Sequence, residues 1–248
     1  MANPDISIII PAYRAEKFII KSIKEVERVV SSLESNYEII CVIDGEPDET
    51  YKLVRTLSLK NPKIKVFGYK RNKGKGYAVR YGFKKAKGRI VGFIDAGLEI
   101  HPKSLTNLYN IFVSKKAHAV VGSKRHPSSK VEYPFARKIV SFIYFLWVKT
   151  LFNFGVSDTQ AGIKVFKSEL IKKILPNLTI NGYAFDVEIL SQAKRSGFAK
   201  IYEAPIVVRR LKYEESTIAS KGFLKSSLEM FSDTFKVFYK EKPMEQKK

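Results

Sequence analysis

The sequence predicts a doubly wound α/β domain with a mainly parallel sheet, flanking helices and a C-terminal amphipathic helix. Three observations predict it. Runs rich in Val and Ile ("ISIIIPAY", "YEIICVID", "KIKVFGYK", "RIVGFIDA" and "AHAVVGSKR") recur through the first half. They are nearly continuously apolar, as strands covered on both faces are. The intervening stretches, such as 15–35 and 47–60, are long enough for the helical crossovers that parallel strands require. Finally, distinctive polar residues gather where the strands end: Tyr13 just after Pro11, Asp44, and Asp95. Ligands bind at those carboxyl ends in open α/β sheets.

The second half is mixed. A long helix is expected over 134–154, then "DTQAGIKVF" reads as a loop entering a strand. "AFDVEILSQAKRSG" is helical and "AKIYEAPIVVRR" is a further strand. Over 218–240, Leu224, Leu228, Phe231, Phe235 and Phe238 alternate at spacings of four and three, one apolar stripe flanked by Lys221, Lys225, Lys236 and Lys240. The organisation is a catalytic-size domain over 1–217, this helix, and a basic tail over 241–248.

Composition narrows the function. The 248 residues suffice for a large core, and 45% hydrophobic content marks an ordered chain. A formal charge of +21 calls for an anionic partner: phosphorylated ligands, an acidic membrane face or nucleic acid. The basic residues are spread out, without a recognition motif or basic runs interleaved with stacking aromatics, so nucleic acid is not expected. Cys41 is the only cysteine, which fits a reducing compartment. The N-terminus has no signal-peptide pattern, and the most apolar stretch, "IVSFIYFLWV", is about half the roughly 20 residues a membrane span needs. A cytoplasmic chain, peripheral to the membrane, is the expectation.

Two stretches carry chemistry. In "RNKGKGYAVRYGFKKAKG", Gly74 and Gly76 either let backbone amides approach an anion at a helix start, with Lys75 between them, or form a turn ahead of a solvated basic helix. In "FIDAGLEIHP", Asp95 ends an apolar run, with Ala96 and Gly97 after it and Glu99 and His101 close by. His101 before Pro102 reads as a helix-start element rather than a ligand for a hard cation.

Taken in order, "ISIIIPAY", "EIICVIDGEPDET", "NKGKGYAVRYGFKKAKG", "FIDAGLEIHP", "VVGSKR", "DTQAGIKVF", "FDVEIL" and "EAPIVVRR" resemble the inverting family-2 glycosyltransferases of GT-A, Rossmann-like fold. Within them the chain is most similar to the dolichyl-phosphate mannose or glucose synthase branch, of the type with a catalytic domain only. The resemblance implies transfer of a hexose from GDP-mannose or UDP-glucose to a polyprenyl or dolichyl phosphate at the cytoplasmic membrane face. A phosphate acceptor is already ionised near neutral pH, so positioning and charge stabilisation carry the reaction.

The resemblance also implies residue roles. Pro11, Tyr13, Glu16 and Asp44 fall at the nucleotide. Lys75, Asp95, Ala96, Lys124, Arg125, Arg209 and Arg210 fall at the donor and its phosphates. Arg137 and Ser141, one helical turn apart, fall with Gln160 at the acceptor phosphate. Asp95, Arg137 and Ser141 are the expected catalytic set. Asp186 and Glu188 either orient basic residues in the site or cap helical structure.

Departures cluster on the donor side: Tyr13-Arg14-Ala15 with Glu16 one place late, Ile43-Asp44, Asp95-Ala96-Gly97 where the branch has Asp-x-Asp, and Ser216-Thr217 where it has Ser-Lys. Asp95 and Glu99 are the expected ligands for Mg²⁺ or Mn²⁺, which accept one or two carboxylates plus substrate phosphates. A metal-free site using the surplus cations is the rival. Rival functions are a saccharide acceptor served by Asp158 or Asp186 as general base, and a nucleotide-sugar-binding fold without turnover. The aromatic 134–154 segment, with Trp147, suits an interfacial helix on an anionic membrane. The 218–240 stripe suits either a membrane surface or a packing surface, and a separate membrane-anchoring subunit is compatible with both.

Overall fold

The computed structural model describes residues 3–34, 36–132, 135–209 and 223–241, without the side chains of 135–140, 223–228 and 241. Parallel strands β1 (Ile6–Ala12), β2 (Tyr37–Asp44), β3 (Ile64–Tyr69) and β4 (Ile90–Ile94) alternate with helices α1 (Ile19–Leu33), α2 (Thr50–Lys60) and α3 (Lys75–Lys85). Helix α4 (Ser104–Ser114), β5 (Ala119–Ser123), β6 (Lys130–Val131) and α5 (Phe135–Phe152) follow. The chain continues through β7 (Ile163–Lys167), α6 (Ser168–Ile174), α7 (Phe185–Arg195), β8 (Ile201–Pro205), β9 (Val207–Val208) and α8 (Phe223–Glu241).

The main sheet has seven strands in the order β3-β2-β1-β4-β7-β5-β8. Every residue of β1 and β2 is buried, as their unbroken apolar runs require. Alternation divides them between two cores. Ile8, Ile10, Ile39 and Cys41 pack with α1 through Ile23 and Val26. Ile9, Ile40 and Val42 face Phe83, Phe93, Phe166 and Phe185. Each fully buried Ile removes apolar surface worth about 1.5–3 kcal/mol from water.

Strand β7 is the exception that shapes the site. It runs antiparallel between β4 and β5. Its amino end, carrying "DTQAG", therefore lies beside the carboxyl end of β4, and Asp95 N–H donates to the Gly162 carbonyl at 2.9 Å.

Two expectations shift in detail. The 15–35 helix starts only at Ile19, because residues 13–18 form a turn with Arg14 at φ 51°. The single strand read in "AKIYEAPIVVRR" is two. Pro205 ends β8, the Ile206 N–H turns to Ser129 Oγ at 2.9 Å, and β9 pairs with β6 in a separate two-stranded sheet.

Helix α8 packs against α5 and α7. Met230 and Phe231 join Tyr144, Val148, Trp147 and Val187, and Tyr144 and Thr234 share a 2.7 Å hydroxyl contact. Leu224 and Leu228 belong to the side chains outside the described set, as do Lys221 and Lys225. Residues Ser216, Thr217 and the tail from 242 also lie outside the described residues.

Candidate active site

Asp95, the residue after β4, belongs to a charged chain of four. Lys75, the first residue of α3, reaches Asp95 Oδ1 at 3.0 Å and Oδ2 at 3.1 Å. It also lies 3.5 Å from Asp186 Oδ2. The other oxygen of Asp186 accepts from Lys164 Nζ at 2.6 Å, and Lys164 gives a second hydrogen bond to the Ala161 carbonyl at 2.7 Å. Lys164 and Asp186 are buried; the Asp95 side chain is 45% exposed and Lys75 14%. Burial alone would depress the Lys75 ammonium, but the flanking Asp186 and Asp95 carboxylates outweigh it and push its pKa up. Lys164 moves the other way: burial, helped by the Lys75 charge, outweighs Asp186.

Gly162 is the hidden requirement. A Cβ there would stand 1.8 Å from Asp95 Oδ2, so the carboxylate occupies the place of a side chain. Sequence reasoning passed over both Gly162 and Lys164. A lysine inside the apolar run "GIKVF" was a signal, since a buried lysine needs an acidic partner.

Of the two readings of Gly74 and Gly76, the structure favours the turn over the amide cradle. Gly74 N–H donates to Asp44 Oδ2 at 2.9 Å, and Gly76 N–H to the Asn181 carbonyl at 2.7 Å. These glycines instead admit the 180–182 backbone: a Cβ at Gly74, where φ is +99°, would come within 2.5 Å of the Asn181 carbonyl. Asp44 is buried at the end of β2 and accepts from Tyr69 Oη, Asn72 Nδ2, Lys73 N–H and Gly74 N–H. It thereby fixes the loop that presents Lys75.

The alternatives for Asp186 and Glu188 divide between them. Asp186 orients Lys75 and Lys164. Glu188 accepts from Thr179 N–H, Thr179 Oγ1 and Ile180 N–H, holding the loop before α7.

A second cluster lines a cavity of about 350 Å³ walled by Tyr144, Phe145, Val148 and Phe154, with Gln160 and Lys149 on it. Arg125 Nη2 donates to the Ser141 carbonyl at 2.7 Å and to Ser141 Oγ at 3.2 Å. Its guanidinium lies 4.7 Å from the Phe145 ring centre. Gln160 Nε2 reaches Tyr144 Oη at 3.4 Å. Arg125, Ser141 and Gln160 therefore share one cavity. Arg137 lies on the same helix, α5, but its side chain is outside the described set.

The other expected residues make contacts of their own, and the pairing of Ala12 with Ile43 sets the ends of β1 and β2 side by side. Pro11 is buried within β1, and Tyr13 is half-buried under the Arg14 guanidinium at 5.3 Å. Glu16 is exposed and accepts from Glu49 N–H at 3.1 Å. Ala96 is buried. Glu99 holds β9 through its carbonyl, which accepts from Arg209 N–H at 2.8 Å. The Arg209 guanidinium pairs with Glu25 of α1 at 3.2 Å, and Arg210 lies outside the described residues. His101 starts α4 as read: its Nδ1 accepts from Lys103 N–H at 3.2 Å and its carbonyl from Ser104 N–H at 2.9 Å.

Neither carboxylate considered as a general base is built for it. Burial raises the Asp158 carboxyl, but the Lys124 ammonium and the N–H groups of Lys124 and Gln160 overcome this and hold it below its usual range. Asp186 is locked between two lysines. Among the described residues, no three His, Cys, Asp or Glu side chains gather to hold a metal. A divalent ion fits as one that shares Asp95 with phosphate oxygens of a substrate. The half-exposed carboxylate allows this, and the space around Gly97 is open to at least 4 Å.

The comparisons agree with this architecture. A dolichyl-phosphate beta-glucosyltransferase of Dictyostelium discoideum is 30% identical over 251 residues, covering 96% of this chain and 75% of that protein. The dolichyl-phosphate beta-glucosyltransferase ALG5C of Trichomonas vaginalis is 27% identical, covering 90% of this chain and 69% of that protein. In fold, the chain superposes on glucosyl-3-phosphoglycerate synthase from Mycobacterium tuberculosis, solved with Mn²⁺, uridine diphosphate and glucosyl-3-phosphoglycerate. The TM-score is 0.62 at 18% identity, over 93% of this chain and 80% of that one. The family model for glycosyl transferase family 2 matches residues 7–175, and the chain belongs to that family.

Proposed function

We propose that this glycosyltransferase moves a hexose, glucose in the first instance, from a nucleotide-diphosphate donor to a polyprenyl phosphate of the dolichyl type. The observation that carries the reading is the cavity beside the charged cleft. It sets Arg125 and Lys149 against aromatic and aliphatic walls, as a phosphate on an apolar chain requires, while the Asp158 and Glu203 carboxylates on its lining are spent on backbone N–H groups. The names of the relatives favour glucose and a dolichyl phosphate acceptor.

An acceptor phosphate oxygen attacks the anomeric carbon as the carbon–oxygen bond to the diphosphate breaks, giving a sugar phosphodiester of inverted configuration and a nucleoside diphosphate. The acceptor's second ionisation lies near pH 6, so no protein base is required at neutral pH. Lys75, held at Asp95, meets the departing diphosphate, and Arg125 holds the attacking phosphate. Arg137, on the same helix as Ser141, is assigned to that phosphate too. A bound Mg²⁺ or Mn²⁺, held by Asp95 together with phosphate oxygens of the donor, would supply further neutralisation of the leaving group.

Helix α5 joins the cavity to an apolar surface. Its Ser141, Tyr144 and Phe145 line the cavity, while Phe142, Ile143 and Leu146 are 49%, 53% and 46% exposed. That face is assigned to the membrane interface, on the cytoplasmic side, with the surplus positive charge drawing the protein to anionic lipid. No described helix is long and apolar enough to cross a membrane.

The test is transfer of labelled sugar from UDP-glucose and GDP-mannose, in parallel, to dolichyl phosphate, unphosphorylated dolichol and a soluble saccharide. The reading expects label only on the phosphorylated lipid. Label on the saccharide alone would sink it.

A further inference from the structure

We propose that Lys75 is a resident counter-cation occupying the place of a divalent ion on Asp95, and that such an ion binds only by driving the lysine onto Asp186. The inference rests on reading the cleft as a nucleotide-diphosphate site, and it concerns how that site handles cations.

The geometry is that of an exchange. The Lys75 ammonium lies 3.0 and 3.1 Å from the two oxygens of Asp95, so it covers the face a metal would use. At 3.5 Å it already has a second carboxylate oxygen, Oδ2 of Asp186. Asp186 spends its other oxygen on buried Lys164 and keeps this one for Lys75. Both ammonium groups sit 5.3 Å from the centre of the Phe93 ring, which floors the cluster. A flexible four-carbon stem can shift between Asp95 and Asp186 without moving α3.

Charge explains why the lysine is there. Asp95 and Asp186 balance Lys75 and Lys164, so the cluster is neutral before any ion arrives. Gly97 removes the second carboxylate that would tip the balance towards a divalent ion, although a side chain there would meet nothing within 4 Å. With Lys75 in place, a metal must displace an ammonium rather than fill an open negative site. The free protein therefore binds divalent ions weakly, and its diphosphate-binding cation is built in.

The probe is Mn²⁺ alone, titrated into the full chain without donor or acceptor and followed by the electron paramagnetic resonance of free Mn²⁺. Lys75→Gln is expected to tighten binding at least tenfold, and adding Asp95→Asn to abolish the gain. Lys75→Arg keeps the buried charge and grips both oxygens of Asp95, so it is expected to weaken binding several-fold even if the glutamine variant does not fold. Unchanged or weaker binding in Lys75→Gln, a gain that survives Asp95→Asn, or Lys75→Arg binding as tightly as the wild type would each overturn the proposal. No sugar transfer enters the titration, so its failure is separate from failure of the functional reading.

Discussion

The carboxylate of Asp95 fills the space that a side chain at Gly162 would need: a methyl there would lie 1.8 Å from one carboxylate oxygen and 2.4 Å from the carboxylate carbon. Gly162 has no positive φ, so alanine meets no backbone strain, and the nearest atoms it meets are those of Asp95. The half-exposed carboxylate yields by swinging away from Lys75. Gly162→Ala should therefore fold, with a melting temperature within a few degrees of wild type, and lose about 100-fold in transfer rate, the scale of an ångström's misplacement. Circular dichroism and a transfer assay on the same preparation check this.

Arg125 is held by Ser141 and the Phe145 ring, so its fork is fixed before a ligand arrives. Arg125→Lys keeps the charge and loses the planar, two-pronged contact. The KM for the lipid phosphate should rise about tenfold, roughly the 1.4 kcal/mol of one charge-assisted hydrogen bond. The KM for the nucleotide sugar should stay near the wild-type value. A shift confined to the donor would move Arg125 to the other side of the cleft.

Stability should fall in acid for a nameable reason. Burial pushes buried Glu38 up, but Lys65, Ser7 Oγ and the Lys87 N–H outweigh it and hold its pKa below the ordinary 4.5. A carboxyl lowered in the folded state stabilises above its unfolded pKa, and that contribution is lost as pH falls through the folded value. Glu38→Gln should cost about 1–3 kcal/mol at pH 7 and leave a shallower loss of stability between about pH 5 and pH 3. Denaturant unfolding of both proteins at several pH values measures the difference.

The exposed face of α5 should matter to vesicles and not to the fold. Replacing Phe142, Ile143 and Leu146 together by Ser removes three side chains each about half exposed. Binding to vesicles containing anionic lipid should drop at least tenfold while the melting temperature changes little, since core packing on α5 runs through Tyr144 and Val148. Flotation assays read this directly.

The sheet was legible because its strands are buried on both faces and leave unbroken apolar runs. The junction of β8 and β9 was less so: Pro205 breaks a run whose composition reads as continuous strand, and only the pairing with β6 shows where the second half goes. In the site, Asp95, Lys75, Arg125, Ser141 and Gln160 were singled out by motif; the structure pairs Asp95 with Lys75, and puts Arg125, expected at the donor, in one cavity with Ser141 and Gln160. The amides of Gly74 and Gly76 stayed open between two readings because a glycine pair before a helix looks the same whether it admits a phosphate or the carbonyl of Asn181. Lys164 and Gly162 act through contacts with Asp186 and Asp95, far apart in sequence, which periodicity does not report. Glu25 as the partner of Arg209 belongs to the same class, being 184 residues away.

The most direct test of the central claim is phosphorus NMR of the reaction itself, with dolichyl phosphate and UDP-glucose. The account predicts that the phosphomonoester signal of the lipid converts to a phosphodiester signal, one for each nucleoside diphosphate released. Release of nucleoside diphosphate with the lipid phosphomonoester unchanged would contradict it, because the sugar would then have gone to water or to another acceptor.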